Sequence, residues 1–317
     1  MSMKPFKVGS VVLSTSQGLG FLAKDFYDNG IIDKVFVWRH SSRENHYDWY
    51  PNRVQNIDDL LDCDIILYFE TCFDFDFMKR AKAKGILIVF IPMYECSNPH
   101  MVRMADKIIN PSLLDQRYYP EGVFLPIPVN QTWKLREKAK VFVHNAGNGG
   151  LGGRNGTKEL LEAMKLVKSP IKLILRSQGH IEPINDPRIE VRIGTFDDIW
   201  SEGDVFIFPE KFNGLSLPLQ EAYASGMLVM CGDRFPMNTW LPKEPLIPVK
   251  GYHKERIAVE FDCAEFSPHD IAKRIDEWYN LDIAEYSLMG KEYNIKNSWK
   301  NLKTDYLNLF TTCLNEK

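Results

Sequence analysis

The stretch "HNAGNGGLGGRNGTKELLEA", residues 144–163, decides how the second half of the chain is read. Six of the ten positions from Gly147 to Gly156 are glycine, and a run of helix formers follows with Leu160, Leu161, Met164 and Val167 on one face. The apolar run "VFVHNA" (141–146) precedes it as a strand. Strand, bare loop and helix N-terminus together make an anion site, because free N–H groups and the positive dipole end point at a ligand that Cβ atoms would otherwise hold away. Loop closure rarely demands so many glycines, which favours ligand approach, with phosphate the expected cargo.

A shorter version stands in the first half, "STSQGLGFLAKDFY" (14–27), where Gly18 and Gly20 open a helix. There, tight turning and close packing explain the glycines as well as a ligand does. The order Gly156-Thr157-Lys158 lacks the Gly-Lys-Ser/Thr of a P-loop. Residues 147–152 fit G-x-G-x-x-G and 18–23 fit G-x-G-x-x-A, which keeps a nicotinamide enzyme as an alternative. The acid that should grip a ribose at the end of the next strand is missing in both halves, where Trp38-Arg39-His40 and Arg176-Ser177-Gln178 stand instead.

Outward from these loops, short β-branched runs alternate with helical segments: "FKVGSVVL" (6–13), "KVFVW" (34–38), "DIILYF" (64–69), "ILIVFI" (86–91) and "KIIN" (107–110), then "KLILRS" (172–177), "EVRIG" (190–194), "DVFIFP" (204–209) and "MLVMCG" (227–232). Helices are expected at 18–29, near 73–84, 157–168 and 216–225. Apolar strands alternating with helices imply parallel, doubly wound α/β sheets. The proline- and charge-rich segment "LPIPVNQTWKLREKAK" (125–140) separates two such domains, 1–130 and 131–317. After Pro268 the sequence is amphipathic and helical, and these helices are expected to close the second sheet and lean back on the first domain.

Composition narrows the class. A formal charge of -3 announces no global basic field for nucleic acid. Six scattered cysteines form no C-x-x-C pair, so neither a disulfide frame nor a structural metal is expected, and the seven histidines show no metal spacing. The longest apolar run, "GILIVFIPM" (85–93), is far short of a membrane span, and a cytoplasmic protein is expected.

The decisive second constellation is "DVFIFPEKFNGLSLPLQEAYASG" (204–226): a buried strand, a loop, then a helix with Ser216 as its expected N-cap, Pro218 in the first turn and Gly226 past its end. Glu221 lies beside Ala222 and Ala224 and is able to face inward, where a carboxylate needs partners. With this stretch the chain resembles the retaining glycosyltransferases of the GT-B fold, family four, and is similar to phage-encoded members. The resemblance implies two Rossmann-like domains with the active site in the cleft between them, and a nucleotide-diphosphate sugar, UDP-linked by expectation, as donor with no further cofactor.

Carried over position by position, Glu221 matches the family's second Glu, which holds the donor ribose. Asn213 stands where the first Glu is expected near the transferred sugar, with Glu210 close by. Gly214, Leu215 and Ser216 match the backbone that faces sugar and phosphate. The family's phosphate-binding Lys is replaced by Asn155, so Arg154 and Lys158 would supply the charge beside Gly149 and Gly150; Lys158 reads equally well as a solvated helix face. His144, ending its strand, is a candidate to meet the sugar or a structural histidine. Gly18 and Gly20 match the loop approaching the phosphates from the other side, and Tyr94 and Glu95 stand where many relatives carry a His near the sugar.

The implied chemistry is front-face transfer with retention, which asks for stabilisation of the leaving diphosphate rather than a nucleophile; Glu221, Arg154, Asn213 and Glu95 are the catalytic candidates. Acceptors in this fold usually bind the N-terminal domain. There "RHSSRENHYDWYPNR" (39–53) interleaves basic and aromatic side chains, making Arg39, His46 and Trp49 acceptor candidates, together with Tyr94 after the strand "ILIVFIPM". The phage likeness leans toward a hydroxymethylated pyrimidine in DNA as acceptor, with a saccharide or lipid-linked glycan as the alternative, and an inactive sugar-nucleotide binder as a further one. The sequence leaves the oligomeric state open.

Overall fold

The structure, a computed structural model, describes residues 4–15, 17–39, 47–194 and 198–317. The chain divides into two compact units. One comprises Met1–Pro128, Arg256–Val259 and Trp299–Lys317, the other Val129–Glu255 and Glu260–Ser298. Among the described residues no helix is long and apolar enough to cross a membrane.

The first unit runs β1 (Val8–Val12), α1 (Gly18–Asp28), β2 (Lys34–Val37), β3 (Ile65–Phe69), α2 (Phe75–Ala83), β4 (Leu87–Ile91), α3 (Pro99–Arg103), β5 (Lys107–Asn110), α4 (Leu113–Tyr118) and β6 (Val123–Phe124). Its strands form one parallel sheet in the order β2-β1-β3-β4-β5-β6. Strands β1, β3 and β4 are buried at every residue, as strands covered on both faces are. The start of α2 follows from its sequence: the Asp74 carboxylate accepts from Phe77 N at 2.8 Å and caps the first turn.

The second unit runs β7 (Val141–Gly147), α5 (Thr157–Met164), β8 (Lys172–Ser177), β9 (Ile189–Ile193), β10 (Val205–Phe208), α6 (Leu217–Ala224), β11 (Leu228–Cys231), β12 (Gly251–Arg256), β13 (Glu260–Glu265), α7 (Pro268–Trp278) and α8 (Ala284–Lys296). Five of its strands form a parallel sheet in the order β11-β10-β7-β8-β9, and β12 pairs with β13 apart from it. The last helix, α9 (Trp299–Asn315), belongs to the first unit, where Trp299 and Tyr306 meet Phe26 and Phe310 meets Phe6.

Two local readings need correction. The helix expected over 157–168 stops at Met164, because the Asp276 carboxylate takes the backbone N–H groups of Lys168 and Ser169 at 2.9–3.2 Å and turns the chain away. The pair β12 and β13 is absent from the sequence reading, since β12 is almost wholly exposed and carries no apolar alternation.

Both parallel sheets reverse their winding once. In the first the order turns between β1 and β3, in the second between β7 and β10. At such points the connections leave to opposite sides and a crevice opens beyond the carboxyl ends of the strands.

Candidate functional site

In the second unit the glycine loop leaves β7 at this reversal. Some of its glycines have local causes. A Cβ on Gly149 would lie 3.0 Å from the Gly153 Cα, so the loop crosses itself where two backbones touch. Gly156 is left-handed at φ +74°, and a Cβ there would sit 2.3 Å from the Pro209 carbonyl oxygen. Asn155 donates from Nδ2 to the carbonyls of Asn145 at 2.9 Å and Ala146 at 3.2 Å. It ties the loop to its own strand. Helix α5 then begins after Gly156, its N-cap residue, with no side chain capping its first N–H groups.

His144 is fully buried. Its Nδ1 contacts the Ile207 carbonyl at 2.8 Å and its Nε2 the Thr157 hydroxyl at 2.9 Å, which leaves neither nitrogen for a ligand. Burial pushes its pKa down to about 4, so the ring is neutral and joins β7, β10 and the start of α5.

The loop after β10 holds a buried polar network. Glu210 is 2% exposed. Its carboxylate accepts from Asn213 Nδ2 at 2.9 Å, Ser216 Oγ at 2.7 Å and Arg234 Nη2 at 3.3 Å, and Arg154 Nε lies 3.8 Å away. Burial pushes the Glu210 carboxyl above the usual range, while Arg154 and Arg234 pull it back. Asn213 accepts at Oδ1 from Leu215 N and Ser216 N at 3.0 and 2.8 Å. It shapes the loop from within and turns its side chain to Glu210.

Ser216 stands at the N-cap position of α6, but at φ +44°, and its hydroxyl goes to Glu210 instead of capping the helix. A serine in the left-handed region is strained by about 1–2 kcal/mol. The Glu210 and Asn213 bonds hold it there, and the first turn of α6 is left uncapped. The start of α5 presents free N–H groups, whereas in α6 Pro218 has no N–H and Leu219 N donates to the Ser216 carbonyl at 3.1 Å. Gly214 and Leu215 are buried in the loop before α6.

Arg234 is the participant the sequence reading missed. It follows β11, is 6% exposed, and donates to the Glu210 carbonyl at 2.9 Å and the Asn213 carbonyl at 3.1 Å besides the carboxylate. The only signal was a charged residue three positions after a buried strand. Glu221 is half-buried in α6 and accepts from the Trp200 indole at 3.1 Å. Arg154 retains a side chain 35% exposed beside the ring of Phe212, and Lys158 is exposed. Of the donor candidates, the structure thus brings Arg154, Glu210, Asn213 and Ser216 into one network.

The remaining candidates lie in the first unit. A Cβ on Gly20 would stand 2.1 Å from the Thr15 carbonyl oxygen, so packing alone demands this glycine, whereas one on Gly18 would meet nothing within 4 Å. Glu95 is buried. Tyr94 stacks on Tyr118 and its N–H donates to the Asp115 carboxylate at 2.8 Å. Burial pushes Asp115 up to about 7, with the Glu95 charge adding to the shift. Arg39 lines a cavity of 680 Å³ with Trp38, Tyr47 and Arg53. Trp49 stacks on Tyr47 at 4.8 Å and meets Phe21 at 5.2 Å. His46, with His40 and Arg43, lies outside the described residues.

No family model and no curated protein matches the chain. Solved structures do. HepE of Anabaena in complex with UDP-glucose superposes with a TM-score of 0.65 at 11% identity over 97% of this chain and 100% of that one. A glycosyltransferase of Rickettsia africae gives 0.67 at 12% over 99% and 100%. Sucrose-phosphate synthase of Thermosynechococcus elongatus gives 0.64 at 12% over 98% and 100%. At such identities the likeness establishes the fold, two parallel-sheet α/β domains of the GT-B type.

Proposed function

We propose that the chain is a glycosyltransferase that takes a nucleotide-diphosphate sugar and moves the sugar to an acceptor hydroxyl. The observation that carries the reading is the buried Glu210, held by Asn213, Ser216 and Arg234 with Arg154 beside it, next in sequence to Pro209, which meets the uncapped start of α5. Uncapped N–H groups and one accessible guanidinium suit a leaving diphosphate, whose charge grows in the transition state. Neighbours of the same fold bound to UDP and UDP-glucose support a uridine nucleotide as donor.

Retention by front-face transfer belongs to the same proposal. Glu210 is enclosed by three donors and so is poorly placed as a carboxylate nucleophile, while Glu221, sharing the Trp200 indole, is the candidate to hold the ribose. The acceptor is proposed as a sugar-type or nucleobase-linked hydroxyl, with hydroxymethylated pyrimidine DNA and free or lipid-linked saccharides as the two arms of its test.

The purified chain is screened against nucleotide sugars by thermal shift and by release of free nucleotide, then with each acceptor arm. A uridine-sugar shift with slow nucleotide release is expected, and retained anomeric configuration in the product. Arg154→Ala and Glu221→Ala should each lower kcat/KM about 10- to 100-fold, the worth of a charged hydrogen bond, with unchanged circular dichroism. Stabilisation by a nicotinamide dinucleotide alone would overturn the reading; binding of nucleotide sugar without turnover would reduce it to a sugar-nucleotide binder.

A further inference from the structure

We propose that β12 and β13 carry a separate site for a borderline-soft divalent cation, Zn²⁺ being the best fit, with His253 Nε2, a Glu255 carboxylate oxygen and Cys263 Sγ as ligands. These donor atoms all lie within 4.8 Å of one another. Residues two apart on a strand share a face, so His253 and Glu255 of β12 project together, as do Cys263 and Glu265 of β13. The pairing of the two strands brings both couples onto one surface. His253 Nε2 is 3.0 Å from Glu255 Oε1, and its Nδ1 is 3.0 Å from Glu265 Oε1.

The arrangement has the parts a zinc site needs. Imidazole, thiolate and carboxylate are the ligand types Zn²⁺ prefers, and a thiolate disfavours Mg²⁺ and Ca²⁺. One thiolate and one carboxylate neutralise the double charge. Glu265 on the far ring nitrogen supplies the outer carboxylate that fixes the tautomer and orientation of a ligating histidine. Around a tetrahedral ion at about 2.0–2.3 Å from each ligand the donors stand about 3.5 Å apart. His253 and Glu255 have side chains 44% and 47% exposed, so rotation closes the remaining gap, and the open side admits water as fourth ligand. The nearby Lys211 is ion-paired with Glu159 at 2.9 Å, which offsets its charge.

The site adjoins the polar network without belonging to it. Ala264 N donates to the Lys211 carbonyl at 2.8 Å, and Phe261 packs on Phe212 at 4.4 Å, so β13 props the loop that carries Glu210 and Asn213. A bound ion would stiffen that prop.

The test uses no activity and stands apart from the glycosyltransferase reading. Reduced protein stripped with a chelator is titrated with Co²⁺. One ion per chain is expected, giving a thiolate-to-cobalt charge-transfer absorption that Zn²⁺ displaces, with a rise in thermal midpoint. Cys263→Ser abolishes the absorption, and Glu265→Gln weakens binding about 10- to 100-fold. Since Cys263 is buried, His253→Ala at an exposed position is the companion variant that spares the core and should weaken binding likewise. Absence of the absorption in the wild type, or its persistence in Cys263→Ser, or unchanged affinity in His253→Ala, overturns the proposal.

Discussion

Glu210 and Arg234 show what a single buried residue commits its surroundings to. Each is the other's charge partner at 3.3 Å, with exposures of 2% and 6%. Removing Glu210 leaves the Arg234 guanidinium buried without its counter-charge, which costs about 3–5 kcal/mol. Glu210→Ala should therefore lower the unfolding free energy measured in urea by that much, beyond what loss of a ligand contact would do; a neutral result would mean that the network is not a structural unit. His144 makes an independent prediction. Its folded pKa of about 4 lies below the ordinary 6.5, so the unfolded chain takes the proton first. Its contribution is complete above about 6.5 and is lost as pH falls toward 4, by up to about 3 kcal/mol. Chemical denaturation at pH 7 and at pH 4.5 should show a smaller acid loss in His144→Asn than in the wild-type chain.

At the scale of elements, the glycine loop and α5 are held by backbone proximity. Gly156 combines a left-handed φ with contact to the Pro209 carbonyl, so Gly156→Ala meets both strain and a clash. It should destabilise by roughly 2 kcal/mol or more and weaken donor binding in a titration, whereas Gly152→Ala, with nothing within 4 Å, should be tolerated for folding. The strands and the βα rhythm were legible because fully apolar runs between turn signals have few other uses. Glu210, Asn213 and Ser216 were legible because they sit within seven positions in one loop. Arg234 was not, since 24 residues separate it from Glu210 and its link is made by the fold alone. The pair β12 and β13 escaped notice because β12 is exposed and charged with no period to read, and β13 is short, with three buried residues among six.

For the whole molecule, the controlling feature is the membership of α9 in the first unit. Phe310 is fully buried and meets Phe6 and Tyr306, while Trp299 and Tyr306 flank Phe26. Phe310→Ala should cost about 3–5 kcal/mol through the cavity it leaves. Hydrogen exchange should show the loss in β1 and α1 before it shows in β7 and α5; the reverse order would contradict the assignment of α9. The sequence marked the end of the chain as helical and amphipathic, but amphipathicity does not say which sheet a helix covers.

That membership has a consequence for biosynthesis. The chain of the first unit is interrupted by nearly all of the second, so Trp299–Asn315 is translated long after Pro128. At about 5–20 residues per second the interval is about 10–30 s. Throughout it the apolar surface around Phe6 and Phe26 has no helix to cover it, while the second unit, built almost entirely from the intervening stretch, is free to fold. Formation of the N-terminal half would thus be completed last, and chaperone dependence during synthesis should concentrate on the part of the protein that is made first.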